Sequence, residues 1–155
     1  MNDDVKIKKN EWFMAVIRDP FDLAGQSVFE ILSIIKKLMD PHFVLISDLE
    51  GAGITTLNSK EPILFNDEFL KNILSVKQFD WADFFLFNDF PVFWQTLAGK
   101  TYAEIISLTS TTIRAVDDTY IYIYTPSDTL VKLIKDNYLV EEIKKGMLVD
   151  LDYPF

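Results

Sequence analysis

The sequence predicts an α+β fold, a single domain over residues 1–155 in which several helices pack on a largely antiparallel sheet. Three observations predict this class. Helical and strand-like hydrophobic spacings follow one another irregularly, the second half contains a hairpin pattern, and no linker rich in glycine, serine or proline divides the chain. Because 49% of the residues are hydrophobic and 25% charged, we expect one substantial core.

The first element is a strand at 12–17, where the run WFMAVI is aromatic and β-branched. A helix follows, because apolar residues recur at helical spacing from Val28 to Leu38, and Pro41 ends that pattern. The run HFVLIS at 42–47 predicts a buried strand. Two glycines in EGAG, 50–53, predict a chain reversal into a further strand.

The middle of the chain begins with a helix that Asn66 caps and that ends near Val76. The run QFDWADFFLFNDFP then predicts a strand covered on both faces, followed by a turn at Asn88 and Asp89. A helix stays an alternative there, because its aromatic residues also share a helical face. Residues 91–108 predict two short helices, the second opened by the capping-box pattern TYAE.

A hairpin is predicted by the runs TTIRAV and YIYIY. A three-residue loop, 117–119, keeps the isoleucines on one face and places Arg114 opposite Tyr122 on the other, whereas a two-residue loop would mix the faces. Beyond it, TPSD caps another helix. Gly146 is expected to end a helix, and MLVDLDY at 147–153 alternates like a last strand.

The charge balance restricts the classes of partner. The chain has 24 acidic and 15 basic residues, a net charge of -9, which disfavours nucleic acid and anionic membrane surfaces and favours basic proteins. Cysteine is absent, which excludes disulfides and thiolate chemistry and fits a reducing compartment. With no apolar leader or long apolar stretch, the sequence predicts a cytoplasmic protein that does not enter membranes.

No catalytic or cofactor motif is present. His42 is the single histidine and lacks the partners of a common zinc site, and GAG at 51–53 does not form a dinucleotide fingerprint. No calcium-loop pattern occurs. We therefore expect no cofactor, no metal and no catalytic residue, and interpret the chain as a non-enzyme.

Carboxylates are the remaining groups that could act chemically. Three pairs are close in sequence, and a carboxylate-dependent hydrolase would need two such acids to converge in one pocket. Asp48 and Glu50 lie two apart on a strand, where they would share a face, but solvated surface positions also explain them. The other pairs are Asp80 with Asp83 and Asp117 with Asp118.

A second interpretation makes the acids and aromatics a binding surface. Between residues 40 and 90 there are nine acidic residues and three lysines, and the tyrosines of YIYIY share one strand face. Phe79 to Phe87 is expected to be core, with Asp80 and Asp83 on its rim. The candidate partner-binding residues are Asp48, Glu50, Asp80, Asp83, Asp89, Tyr120, Tyr122 and Tyr124.

In size, acidity, lack of cysteine and mixed α+β pattern the chain resembles the small immunity proteins of bacterial toxin systems. The resemblance is one of profile over the whole chain and involves no motif. It implies a non-catalytic bacterial inhibitor that binds a basic cognate toxin domain. The alternatives are the carboxylate-dependent hydrolase and an adaptor or self-associating protein that uses YIYIY as an edge strand.

Overall fold

The computed structural model describes residues 11–18, 24–54, 57, 60–117 and 119–154. Their strands form one antiparallel sheet of seven in the order β3-β2-β4-β5-β6-β1-β7. The strands are β1 (Trp12–Arg18), β2 (Phe43–Ala52), β3 (Ile63–Leu64), β4 (Gln78–Phe87), β5 (Thr111–Val116), β6 (Tyr120–Thr125) and β7 (Val140–Gly146). The predicted α+β class is confirmed.

The helices of the described residues cover both faces of this sheet. Four are α-helical and two are short 3₁₀ helices. The α-helices are α1 (Ala24–Leu38), α2 (Asp67–Leu74), α3 (Tyr102–Ser107) and α4 (Asp128–Asn137), and the 3₁₀ helices span Trp94–Gly99 and Leu148–Asp150. None of these helices combines the length and the apolar character that crossing a membrane requires.

The main core lies where α1, α2 and α4 pack on one face of the sheet. These helices bury the apolar stripe that their sequence spacing predicts, for example Ile31, Ile73 and Ile134, against strand residues such as Phe84 and Ile113. Asn66 caps α2 by accepting a hydrogen bond from the backbone of Phe69, as predicted. The three helices together shield this face of the sheet from solvent.

The opposite face is covered by α3, the two 3₁₀ helices and the residues after them. Its buried clusters contain strand residues that alternate with those of the main core, such as Met14, Phe85 and Tyr124. The capping box predicted at the start of α3 is present, since Thr101 and Glu104 satisfy each other's backbone donors. These segments leave part of the sheet face uncovered near the β5–β6 turn, and the candidate site lies there.

The predicted hairpin register is confirmed. Arg114 pairs with Tyr122 and Val116 with Tyr120, so the connecting loop is three residues long. However, β6 lies between β5 and β1, and the prediction of an edge strand at YIYIY is wrong. The strand is internal because its apolar face continues the main core on both sides. The long edge strand is β7, whose lysines and glutamates oppose pairing with another chain.

Three further predictions are wrong. Gly146 ends strand β7 and not a helix. No chain reversal occurs at 50–53, because β2 continues to Ala52 and its last residues stay paired with β4. Gly51 serves this pairing instead: its φ of 155° and its close approach to the backbone of Gln78 leave no room for a side chain. At the C-terminal end, the final strand is Val140–Gly146, followed by a 3₁₀ helix where a strand was predicted.

Candidate functional site

A concave surface of about 510 Å³ opens at the end of the sheet where β4 begins and β5 turns into β6. We call it the acidic groove. Its floor is aromatic and its rim is acidic. The lining residues are Asp48, Glu50, Asp80, Trp81, Tyr102, Arg114, Asp117, Tyr153 and Pro154. Three of the predicted partner-binding acids, Asp48, Glu50 and Asp80, are thus brought together.

Irregular pairing between β2 and β4 gathers these acids. Ser47 lies opposite Asp83 but Glu50 lies opposite Trp81, so β2 contains one extra residue, and Asp48 there has a φ of 55°. A β-bulge of this kind bends the strand and re-aims its side chains. Simple alternation along a strand therefore does not explain why Asp48 and Glu50 reach the same groove.

A second irregularity adds Asp80 and Asp117. Gly51 pairs with Phe79 and Glu50 with Trp81, so Asp80 is an extra residue on β4. Its carbonyl oxygen accepts a hydrogen bond of 2.9 Å from the backbone N–H of Asp117. Asp117 follows β5 with a φ of 53°, a left-handed conformation that aspartate tolerates. The hydrogen bond from Asp117 to Asp80 thus attaches the β5–β6 turn to β4 beside the groove.

The four acids of the rim are Asp48, Glu50, Asp80 and Asp117, and we call them the rim carboxylates. All four are exposed, and among the described residues none of them forms a salt bridge. The side chains that donate to them are neutral: Gln78 donates to Asp80 over 2.5 Å and Ser47 to Asp48 over 3.3 Å. The rim therefore presents four negative charges to solvent.

Beneath the rim lies a buried ion pair between β4 and β5. The Arg114 Nε donates to Asp83 Oδ1 over 2.6 Å and Nη2 donates to Oδ2 over 3.2 Å, a bidentate arrangement. The two side chains are 8% and 1% exposed. The two residues meet because they are paired in the β4–β5 register.

Aromatic residues complete the environment of this pair. The Tyr102 hydroxyl donates to Asp83 Oδ1 over 2.8 Å and the Trp81 indole N–H to Oδ2 over 3.3 Å. The guanidinium carbon of Arg114 lies 3.5 Å from the centre of the Tyr102 ring and 4.8 Å from that of Trp81. Asp83 is therefore saturated with donors and Arg114 is stacked against two rings.

Burial is the largest single influence on the pKa of each ionisable group in this cluster. It raises the pKa of Asp83, against the hydrogen bonds and charge of Arg114. Burial acts to lower the pKa of Arg114, but its hydrogen bond to Asp83 and the charges around it raise that pKa above the ordinary value. Burial also holds the pKa of Tyr102 well above its usual range and raises that of Tyr153 to about 12. Both phenols stay neutral hydrogen-bond donors near neutral pH.

The remaining predicted contact residues lie outside the groove. Asp83 is wrong as a rim residue, because its position in the β4–β5 register points it beneath the surface and against Arg114. Tyr124 is fully buried, so it does not offer contact area, whereas Tyr120 and Tyr122 are half-buried. Asp89 is exposed but lies in the turn after β4, at the opposite end of that strand from Asp80.

Sequence reasoning missed several groove residues, above all Arg114, Tyr102 and Tyr153. A signal for Arg114 existed: it is the single charge in the apolar run TTIRAV, and Asp83 interrupts another apolar run. Charges in runs of that kind are buried only when paired. The positions of Tyr102 and Tyr153 could not be inferred from spacing, because both come from segments that cross the sheet face.

The acids of the groove do not cluster in the way that a set of three metal ligands would, and Asp118 of the predicted pairs lies outside the described residues. Within the part of the chain that the structure describes, no three histidine, aspartate or glutamate side chains are close enough together to hold a metal ion. Asp83, the buried acid of the predicted pairs, is already bound by Arg114, Tyr102 and Trp81. It is therefore not free to act as an acid or base.

None of the protein-family models, curated proteins and solved structures compared with the chain matches it.

Proposed function

We propose that this chain is a non-catalytic binding protein whose acidic groove receives basic side chains of a partner protein. The observation that carries the proposal is the rim itself: four exposed carboxylates surround one aromatic-floored groove and have no cationic partner among the described residues. Such a rim attracts cations and disfavours anions. A lysine or arginine side chain has the charge and the length to enter it.

The electrostatic gain supports a protein partner that presents several basic groups. One pair of opposite charges about 4 Å apart attracts by about 1 kcal/mol in water and about 4 kcal/mol at an effective dielectric constant of 20. A single cation would therefore be held weakly at an exposed rim. A partner with several basic side chains gains affinity and a faster association rate, and the ring of Tyr153 adds flat contact area.

For the partner we propose a basic toxin domain, with this chain as its immunity protein. The support is the profile resemblance noted above together with a rim suited to a basic surface. An inhibitor of this kind needs a rigid acidic surface and no catalytic group. The most direct genetic observation would be a toxin gene immediately upstream, and the biochemical one would be co-purification of its basic domain with this chain.

The groove can be tested by removing its charge without changing its shape. A variant carrying Asp48→Asn, Glu50→Gln, Asp80→Asn and Asp117→Asn keeps the left-handed positions 48 and 117 occupied by a residue that tolerates them. We expect its affinity for the basic toxin domain, or for a hexa-arginine peptide as a probe, to fall by at least about tenfold. The salt dependence of binding should also become weaker.

The matched control changes the net charge equally at exposed positions away from the groove, on α2, α4 and β7. It carries Asp67→Asn, Glu68→Gln, Asp136→Asn and Glu141→Gln. We expect it to bind nearly as well as the unmodified chain. An equal loss in both variants would mean that net charge alone attracts the partner. No loss in either would remove the acidic groove from the mechanism.

A further inference from the structure

The residues after the last 3₁₀ helix lie across the sheet face next to the acidic groove. We call residues 151–154 the C-terminal strap. Leu151 is buried at its start, and Tyr153 packs between the rings of Tyr102 and Tyr124, with ring centres 5.4 Å and 5.1 Å away. The strap thus covers aromatic surface that would otherwise face solvent.

Side chains from the sheet hold the strap by its backbone carbonyl groups. Tyr124 donates its hydroxyl to the carbonyl oxygen of Asp152 over 2.7 Å, and Arg114 Nη1 donates to that of Pro154, also over 2.7 Å. The Tyr153 hydroxyl adds a bond back to the carbonyl oxygen of Leu148. The strap is not part of a strand ladder. Its attachment therefore depends on these side-chain bonds, on an ion pair of 3.6 Å between Lys144 and Asp152, and on the packing of Leu151 and Tyr153. Such contacts can open locally without unfolding the sheet.

Two residues of the strap, Tyr153 and Pro154, form one wall of the acidic groove. Arg114 belongs to both structures, since the same guanidinium pairs with Asp83 in the floor and holds Pro154 in the wall. Tyr124, by contrast, holds the strap but does not line the groove. The shape of the groove consequently depends on a bond made outside it.

We propose that the C-terminal strap is the movable wall of the acidic groove, and that Tyr124 and Arg114 are positioning residues that keep the groove closed around a basic side chain. This inference rests on the proposed function. A closed strap places the Tyr153 ring opposite the rim carboxylates, so a bound cation contacts both. When the strap is released, the carboxylates remain but the wall is lost.

The test uses Tyr124→Phe, which removes one hydroxyl while leaving the ring and every groove residue in place. Its control is Tyr122→Phe: Tyr122 lies on the same strand face and stacks on Tyr124, and its hydroxyl forms no hydrogen bond with the described residues. We expect amide hydrogen exchange at Leu151, whose N–H donates to the carbonyl oxygen of Leu148 over 3.3 Å, to accelerate by up to about fivefold in Tyr124→Phe, the effect of one hydrogen bond, and not in the control. Affinity for hexa-arginine should fall by up to the same factor, because the peptide binds the closed strap and the closed fraction decreases.

Tyr153→Phe provides a second variant that keeps the wall ring but loses the bond to Leu148, and we expect the same two changes in the same direction. Unchanged affinity despite faster exchange would overturn the strap as a functional wall. Unchanged exchange would overturn it as a segment held by these hydroxyls. A chain that does not bind hexa-arginine before any substitution would overturn the proposed function itself, and the inference with it.

Discussion

The buried ion pair makes a sharp stability prediction. Asp83→Ala leaves the Arg114 guanidinium, 8% exposed, without its counter-charge and removes the acceptor of the Tyr102 and Trp81 donors. Removing one partner of a buried pair typically costs about 3–5 kcal/mol. Folded domains are stable by about 5–15 kcal/mol. We therefore expect this one substitution to remove a large part of the free energy of unfolding.

Urea denaturation followed by tryptophan fluorescence and by circular dichroism measures this loss. The informative comparison is a double variant, Asp83→Leu with Arg114→Met, in which neither charge is left alone. Because an apolar pair of similar volume often replaces a buried ion pair at little cost, we expect the double variant to be more stable than Asp83→Ala. Arg114→Met alone should be destabilised strongly, since it leaves the carboxylate of Asp83 buried and uncompensated.

Two results would refute this reasoning. A loss below about 1 kcal/mol for Asp83→Ala would mean that the pair behaves like an exposed one. Strictly additive effects of Asp83→Leu and Arg114→Met, each measured alone and then together, would mean that the two side chains are not energetically coupled, although they lie within hydrogen-bonding distance.

Two further predictions concern pH and backbone conformation. Burial raises the pKa of four tyrosines above the ordinary value of 10.0, so the folded state binds more protons than the unfolded state at alkaline pH. The free energy of unfolding should therefore be constant up to about pH 9 and fall as the pH rises above 10. Urea midpoints and the phenolate absorbance would measure this, and a urea midpoint unchanged up to pH 12 would contradict it. These tyrosines are Tyr102, Tyr122, Tyr124 and Tyr153. Gly51→Ala should destabilise the fold by more than about 1 kcal/mol, because the added Cβ would collide with the carbonyl oxygen of Gln78. Gly99→Ala should be nearly neutral in thermal denaturation, because nothing lies within 4 Å of its Cβ position. Equal effects of the two substitutions would contradict this reasoning.

The sequence predicted those parts of the fold that local pattern determines. Hydrophobic spacing located α1, cap residues located the starts of α2 and α3, and alternation together with loop length determined the β5–β6 register. Local pattern does not predict the order of the strands in the sheet, because that order depends on which apolar faces pack together after the chain has crossed the sheet. That is why YIYIY could be predicted as a strand but was wrongly expected at an edge.

The candidate site shows the same division. Asp48, Glu50 and Asp80 could be selected as exposed acids of strand ends, but their convergence depends on bulges at Asp48 and Asp80 that no hydrophobic pattern encodes. The sequence predicts Asp83 on the rim of the apolar run from Phe79 to Phe87, and aspartate is indeed exposed in most proteins. The structure buries it because Arg114 lies opposite on the neighbouring strand, which is a tertiary relation between residues 31 positions apart.

The ion pair also determines what the acidic groove can attract. Arg114 lies in its floor, and an unpaired guanidinium there would repel an incoming basic side chain and offset part of the rim's charge. Asp83 neutralises that cation from below, so the field at the groove comes from the rim carboxylates. At the same time, the pair keeps Arg114 oriented so that Nη1 reaches the carbonyl oxygen of Pro154 and holds the C-terminal strap. Asp83, which the sequence predicted as a contact residue, would thus support the proposed binding indirectly, through the charge and the wall of the groove.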